Sequence, residues 1–532
     1  MRSTILVFLA SVLISVSIFS PLVFHPATVI TDNSDGLFTA WTIARVQDNI
    51  IVHAPLWSGK TFYPNTNSIL FSDIFVTSAV MTLPLRLFTH EPLVSYNIAI
   101  IASGALTLFF TYLLFDECLL LAGERQKVFA FIGACVFALS TAHLAYSGHL
   151  HMLALQYVIA ALWVIFRFLR TQKKWLLFFA VVSCALQVWQ SFFLIYYVVF
   201  VVTALLLVQQ YRTLFFKEWK AVLCACCVFF LLSLPVGSAY LQFFHTYHTV
   251  RDIREVIHFS LLFSDLTGQF WSPVTYLWCG ITLIVWARNR KNPLQTLWVA
   301  IGLFAFVISL GPALHFGSET VKPILFGQVL HVPLPYLFLY YLAPGFQAFR
   351  TPSRFFPLVM LSFCAAATIT CSRWRKIQSY RFPLFVLLFG LSLLSVPTIP
   401  FFTVPSIEQY PLYVHVLQQR PENILISLPM RNWADPLAAQ DTQEMIYSLQ
   451  YNKTLVNGQS GFFPDEWMNF QHEIQISFPS PSSFDLMKER GVQLVLIHKQ
   501  YYAQLPSSFP PYVHSVYEDG NVLLLALDPG YN

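Results

Sequence analysis

The sequence predicts a polytopic α-helical membrane protein that ends in a small α/β domain, on three observations. Only 11% of its 532 residues are charged and 56% are hydrophobic, where a soluble protein carries about 25% charged residues. Apolar runs of roughly 17 to 25 residues recur along the chain, the length a helix needs to cross a bilayer. Short Lys/Arg clusters fall at every second loop between these runs, as an alternating helical topology requires. The net charge of +5 resides in those clusters and does not point to nucleic acid.

The first apolar run, about residues 5–24, follows Arg2, and no basic residue comes after it until Arg45. The N-terminus is therefore expected on the cytoplasmic side. The apolar stretch continues to Ile30 without a small-x-small cleavage site, so it reads as an uncleaved helix rather than a signal peptide. Further spans are expected near 94–115, 127–145, 152–170, 174–190, 192–209, 219–238, 274–289, 295–311, 355–372 and 382–399. The clusters Arg125/Lys127, Arg167/Arg170/Lys173/Lys174, Arg212/Lys217/Lys220, Arg288/Arg290/Lys291 and Arg373/Arg375/Lys376 then mark the inner side. Residues 73–90 are apolar enough to span, but a span there would put every later cluster outside. They are expected instead as a helix lying at the outer interface or dipping partly in, interrupted by Pro84, Arg86 and His90. The sum is about eleven spans, N-terminus in and C-terminus out.

Nine cysteines lie in or beside apolar runs and none follows Cys371, which argues against a disulfide framework. Cys224, Cys226 and Cys227 share one apolar helix and are expected to be small core residues. From residue 400 the chain gains charge. Strand-like segments Ile424–Ile426, Val492–Ile497 and Val522–Leu525 are separated by the turn signals Asn457-Gly458 and Asp519-Gly520 and by prolines 479, 481, 510 and 511. About 130 residues suffice for a small α/β domain with its own core. The expected organisation is a membrane domain over 1–399, with a first outer loop at 25–93, and an extracytoplasmic α/β domain over 400–532.

The outer loops hold the candidates for chemistry. The first opens Asp32-Asn33-Ser34-Asp35-Gly36 and continues into a Trp-bearing amphipathic stretch, Leu37 to Ile51, expected to be half-buried. A carboxylate at the mouth of a helix bundle can act as base on an incoming hydroxyl or help hold a metal. Equally, Asn33, Ser34 or Asp35 suits the N-cap of a helix beginning near Gly36. Ser147-Gly148-His149-Leu150-His151 occupies a very short loop. Its histidines suit acid/base work or metal ligation, or a plain interfacial turn. Arg251-Asp252-Ile253-Arg254-Glu255 and Phe349-Arg350-Thr351-Pro352-Ser353-Arg354-Phe355 place arginines against the positive-inside bias. Guanidinium groups match phosphate oxygens bidentately, so these four arginines are candidates for neutralising a lipid-linked phosphate. Headgroup contact, or internal pairing such as Arg254 with Glu255, is the plainer reading. The chain has no Walker A loop and no dinucleotide fingerprint, so any transfer must draw on a substrate activated elsewhere.

Together, Asp32–Trp41, Phe62-Tyr63-Pro64, Phe71-Ser72-Asp73, Ser147–Met152, Arg254-Glu255 with Ser264-Asp265, and Gly345–Phe356 resemble the GT-C superfamily of membrane glycosyltransferases. Its members include oligosaccharyltransferase catalytic subunits, protein mannosyltransferases, aminoarabinose transferases and many bacterial membrane proteins, and the bacterial branch is the best match. Leu455–Phe462 resembles the outer C-terminal domain of that branch. The resemblance implies Asp35, with Asp32 as alternative, as catalytic base. It implies Arg350 and Arg354 first, and Arg251 and Arg254 second, on the donor phosphate. Where the family's second outer loop carries an acidic residue that helps bind a metal or orient the acceptor, His149 and His151 stand here. A divalent metal, Mg or Mn, therefore stays open as cofactor. The implied donor is a polyprenyl-phosphate sugar and the acceptor a glycan, lipid or protein hydroxyl, reached by inverting single displacement at a bacterial cell membrane. The rival readings are a lipid-linked-sugar transporter or flippase, and a non-catalytic surface-polymer assembly protein. Few ionisable groups lie inside the expected spans, which counts against the transporter.

Overall fold

The computed structural model describes residues 2–288, 292–316, 319–325, 328–329, 331–373, 379–432, 434–506 and 508–528. Of the basic clusters, Arg290, Lys291, Arg375 and Lys376 lie outside the described residues. Each of the eleven expected spans contains a helix: Arg2–Ile18, Pro92–Leu121, Lys127–Ala138, Gln156–Thr171, Trp175–Val188, Ile195–Leu207, Trp219–Tyr247, Pro273–Arg288, Pro293–Ser309, Phe356–Arg373 and Arg381–Leu394. Among the described residues, four helices are able to cross a membrane by length and composition alone: Pro92–Leu121, Leu150–Thr171, Trp219–Tyr247 and Pro352–Arg373. A fifth is formed if Ile195–Leu207 and Gln209–Lys217, bent by 102°, count as one span. Residues 73–90 form a short helix, Val76–Thr82, and a 3-10 turn, Leu83–Leu87. Residues 76–87 extend about 18 Å at 1.5 Å per residue, short of the roughly 30 Å hydrocarbon core.

The chain divides into two compact units, Met1–Phe19 with Ile100–Ile399, and Ser20–Ala99 with Pro400–Asn532. This differs from a division at 399/400 alone, because the first loop groups with the tail. The physical reason is backbone pairing: Val29–Ile30 runs antiparallel to Phe402–Thr403.

In the first unit the helix Pro352–Arg373 is the most buried of the four long helices. It is covered by Pro293–Ser309, Pro273–Arg288 and Lys127–Ala138. The approach is close: a Cβ on Gly133 would stand 2.1 Å from the Thr368 hydroxyl, the small-residue contact typical of membrane helix pairs. Trp219–Tyr247 is the opposite case. It packs against Trp175–Val188 and exposes Leu223, Phe230, Leu231, Leu234 and Leu241. Cys224, Cys226 and Cys227 are exposed on it as well, which corrects their expected place in a core. An apolar helix covered along one stripe leaves its other apolar residues facing outward.

In the second unit, helix α1 (Asp35–Ile51) is buried almost all round, from Gly36 to Gln47. The expected half-buried face is absent because α1 packs against both Val76–Thr82 and helix α2 (Ala439–Tyr451) of the tail. Its polar side chains are satisfied inside: Thr42 donates to the Phe38 carbonyl at 2.9 Å, and the Gln47 amide donates to the Ala79 carbonyl at 3.1 Å and the Thr82 hydroxyl at 3.0 Å. The tail carries a sheet of five strands: β1 (Ile424–Leu428), β2 (Thr454–Leu455), β3 (Leu494–His498), β4 (Val513–Glu518) and β5 (Val522–Leu527). The order is β4-β5-β3-β1-β2; β1 is parallel to β2 and β3, and β5 is antiparallel to β3 and β4. Strands β1, β3 and β5 match the expected apolar segments. The short β2 and the polar edge strand β4 carry no comparable signal.

Candidate functional site

The first unit gathers most of the expected cationic groups. Helix Trp219–Tyr247 stops at His248, which is left-handed at φ 46°, and Asp252 caps the next short helix, Ile253–His258, by accepting the Arg254 N–H at 2.8 Å. This segment is strapped to the approach of the central helix. The Arg251 N–H donates to the Gln347 carbonyl at 2.9 Å, the Tyr340 hydroxyl to the Arg251 carbonyl at 2.6 Å, and the Ser353 hydroxyl to the Phe259 carbonyl at 3.0 Å. Glu255 Oε1 then lies 3.7 Å from Arg251 Nη1 and 3.5 Å from Arg350 Nη1. The Arg350 guanidinium sits 5.2 Å from the centroid of the Phe259 ring. Arg354 is held by its backbone carbonyl, which accepts the Tyr197 hydroxyl. Its charge acts on Arg251, His151 and Tyr146. The rings of His149 and His151 are 5.8 Å apart, and Tyr146 is 6.4 Å from His149. Burial lowers the Arg251 pKa from its usual value; Glu255 opposes the shift, while Arg350 and Arg354 add to it.

Five expected site residues, His149, His151, Arg251, Arg350 and Arg354, thus share one electrostatic neighbourhood. Arg254 does not join them. It is exposed and makes no ion pair among the described residues. The expected Arg254–Glu255 pairing is replaced, because Glu255 faces Arg251 and Arg350. Residues Pro352–Phe355 form a 3-10 turn that runs directly into Phe356–Arg373. The guanidinium groups beside this turn favour an anion.

Asp32 and Asp35 belong to the second unit. Asp32 Oδ1 accepts the Ser34 N–H at 2.8 Å and the Gly36 N–H at 3.1 Å, so it caps the start of α1. Ser34, at the N-cap position, makes no side-chain cap bond. Asp35 is the first residue of α1 and is exposed. Both carboxylates act on the Tyr96 hydroxyl, whose oxygen is 3.0 Å from that of Thr31. Among the described residues no three His, Cys, Asp or Glu side chains are grouped as ligands of one ion.

No family model and no curated protein matches the chain, but solved structures do. Arabinofuranosyltransferase AftD from mycobacteria superposes with a TM-score of 0.58 at 12% identity, over 99% of this chain and 40% of its own. The Archaeoglobus fulgidus oligosaccharyltransferase, in complex with Zn and sulfate, gives 0.53 at 11% identity over 93% and 68%. ArnT from Cupriavidus metallidurans, bound to undecaprenyl phosphate, gives 0.50 at 12% identity over 98% and 97%. Its structural neighbours are GT-C glycosyltransferases. At these identities the likeness is one of fold, and this chain spans 40% of the length of the mycobacterial enzyme.

Two of the sequence motifs, Phe62-Tyr63-Pro64 and Leu455–Phe462, have structural work in this fold. The Phe62 N–H donates to the Asn457 carbonyl at 3.1 Å, the Tyr63 N–H to the Leu455 carbonyl at 3.0 Å, and the Leu455 N–H to the Lys60 carbonyl at 2.9 Å. Phe62-Tyr63-Pro64 and Leu455–Phe462 therefore clasp the first loop to the sheet. Asn457 also ties the sheet to α2. Its Oδ1 accepts the Ser427 N–H at 2.7 Å, and its Nδ2 donates to the Ser427 carbonyl at 2.8 Å and to Asp441 Oδ2 at 3.3 Å. Three tyrosines of the cationic cluster, Tyr146, Tyr197 and Tyr340, were not anticipated. Their one signal, an aromatic residue within an apolar run, is shared with many packing residues in a chain that is 17% aromatic.

Proposed function

We propose that the protein is a membrane glycosyltransferase that moves a sugar from a polyprenyl-phosphate donor to an acceptor hydroxyl on a glycan, lipid or protein, at the outer face of a bacterial cell membrane. The observation that carries this reading is the concentration of Arg251, Arg350 and Arg354 beside the start of the most buried long helix. The GT-C fold supports the reaction class. The undecaprenyl phosphate held by one structural neighbour supports a lipid phosphate as leaving group.

In the proposed reaction the acceptor oxygen attacks the anomeric carbon and passes its proton to Asp35. The bond between that carbon and the phosphate oxygen breaks, and the phosphate keeps the electron pair. Arg354 and Arg350, with Arg251 behind them, hold the charge that develops on the phosphate. His149 and His151 orient the acceptor. Charge stabilisation by fixed donors in a poorly solvated site is the larger contribution. In this reading the helical bundle crosses the membrane with the N-terminus inside, and the tail lies outside with the first loop.

The test is turnover of a polyprenyl-phosphate sugar by the purified full chain in lipid nanodiscs. Arg354→Ala should lower kcat/KM by about 10²–10³, and Asp35→Asn by about 10²–10⁴, with unchanged thermal melting. A wild type that binds donor yet never cleaves it across a broad acceptor panel would overturn the enzyme and favour a transporter. Turnover that survives Asp35→Asn would remove Asp35 as the base. Loss of turnover in EDTA, restored by Mg or Mn, would assign a metal.

A further inference from the structure

A polar cavity lies wholly within the second unit, apart from the arginine cluster of the first. Its volume is about 200 Å³, and its polar lining comes from Asp48, Arg86, His90, Tyr410 and Gln450. The first loop supplies the first three and the tail the other two. Ile446 and Leu449 of α2 add an apolar floor.

The wall is electrically balanced. Arg86 Nη2 donates to Asp48 Oδ1 at 2.5 Å, and the Arg86 side chain is only 10% exposed. Its Nη1 donates to the His90 carbonyl at 2.7 Å. Its Nε–H is buried and has no hydrogen-bond acceptor. Buried donors left unmatched are rare in native structures. The Asp48 charge also acts on Arg45 and Lys60. Among the described residues the Tyr410 hydroxyl and the Gln450 amide have no protein partner, and the second oxygen of Asp48 has no donor. The open valences are therefore a mixture of donors and acceptors, which suits a ligand whose groups both donate and accept.

We infer that this cavity binds a neutral, polyhydroxylated ligand, one sugar unit of a glycan. Hydroxyls of such a unit accept from the Arg86 Nε–H or the Gln450 Nε2 hydrogens and donate to Asp48 or the Gln450 carbonyl. The C–H face lies on Ile446 and Leu449. A few convergent polar groups over an apolar floor are the general form of a small-molecule site. A carboxylate or phosphate ligand would meet Asp48 in the same wall, so an anionic sugar is disfavoured. That the glycan is the acceptor of the transfer rests on the glycosyltransferase reading; binding of the sugar does not.

The test uses the full chain in nanodiscs without donor. Saturation-transfer NMR is recorded with methyl glycosides of neutral hexoses and pentoses, with glucuronate and with inorganic phosphate. At least one neutral glycoside should bind saturably. The Tyr410→Phe/Gln450→Ala double variant should weaken that binding by about tenfold or more, with unchanged thermal melting. Three results would overturn the inference: no neutral glycoside binding up to about 50 mM, equal binding by the double variant, or binding of glucuronate or phosphate alone. Saturable neutral-sugar binding by a protein that shows no turnover would keep this site and sink the transferase reading.

Discussion

Gly458→Ala should keep the second unit from closing. A Cβ at this position would stand 2.3 Å from a ring carbon of Phe62, well inside van der Waals contact. The ring has nowhere to go, because Phe71, Phe463 and Trp467 surround it at centroid distances of 5.2, 5.4 and 5.4 Å. The backbone on both sides is fixed too, by the Phe62–Asn457 and Tyr63–Leu455 hydrogen bonds. Overpacking a core that is able to shift costs about 1–3 kcal/mol; at a clasp this constrained the cost should reach the top of that range or beyond. Pulse proteolysis of the full chain in nanodiscs across a urea series reads the effect as early cleavage within 400–528. Phe62→Leu in the same chain should restore part of the resistance, since the two changes share one contact. A Gly458→Ala protein as resistant as wild type would show that the loop is not clasped in this way.

The second large effect is a pH dependence set by Asp441. Burial pushes its carboxyl from 3.8 up to about 7, against the opposing pull of the Arg431 N–H, the Asn457 amide and the Arg431 charge. Between about pH 4 and pH 7 the folded unit holds a proton that the unfolded chain has released. Stability therefore falls as pH rises through that window and levels off above it. At 1.36 kcal/mol per unit the loss is about 4 kcal/mol. Asp441→Asn keeps an acceptor for the Arg431 N–H at 3.0 Å and removes the titration. The urea midpoint of wild type should drop between pH 5 and pH 8, while that of Asp441→Asn stays level by comparison. Parallel profiles for the two proteins would mean that Asp441 titrates in its ordinary range.

The helices were legible in the sequence because twenty-residue apolar runs have few other uses, and β1, β3 and β5 because their apolar runs sit between turn residues. The environment of each helix was not. Thr39, Thr42, Gln47 and Asn49 give α1 an amphipathic look, yet each is buried because a carbonyl or hydroxyl within the unit satisfies it. Cys224, Cys226 and Cys227 failed for the reverse reason: in a membrane an outward face is as apolar as a core, so hydropathy does not separate them. For the candidate site, arginines on the disfavoured side of the topology pointed to Arg251, Arg350 and Arg354. The choice of Glu255 partners depends on the strap between 251–259 and 340–353, which leaves no periodic signal. The grouping of the first loop with the tail was illegible for a similar cause. It rests on two-residue strands, single backbone bonds, the packing of α1 on α2 and the ring contacts of Phe62, all between segments more than 350 residues apart.

The pairing of Val29–Ile30 with Phe402–Thr403 also sets a clock. At about 5–20 residues per second of synthesis, the first strand leaves the ribosome roughly 20 to 75 s before its partner exists. Through that interval α1 has Val76–Thr82 beside it but not α2, and Phe62 has Phe71 but neither Phe463 nor Trp467. Nascent chains halted in the bundle would thus bear an unfinished second unit that proteases and chaperones can recognise.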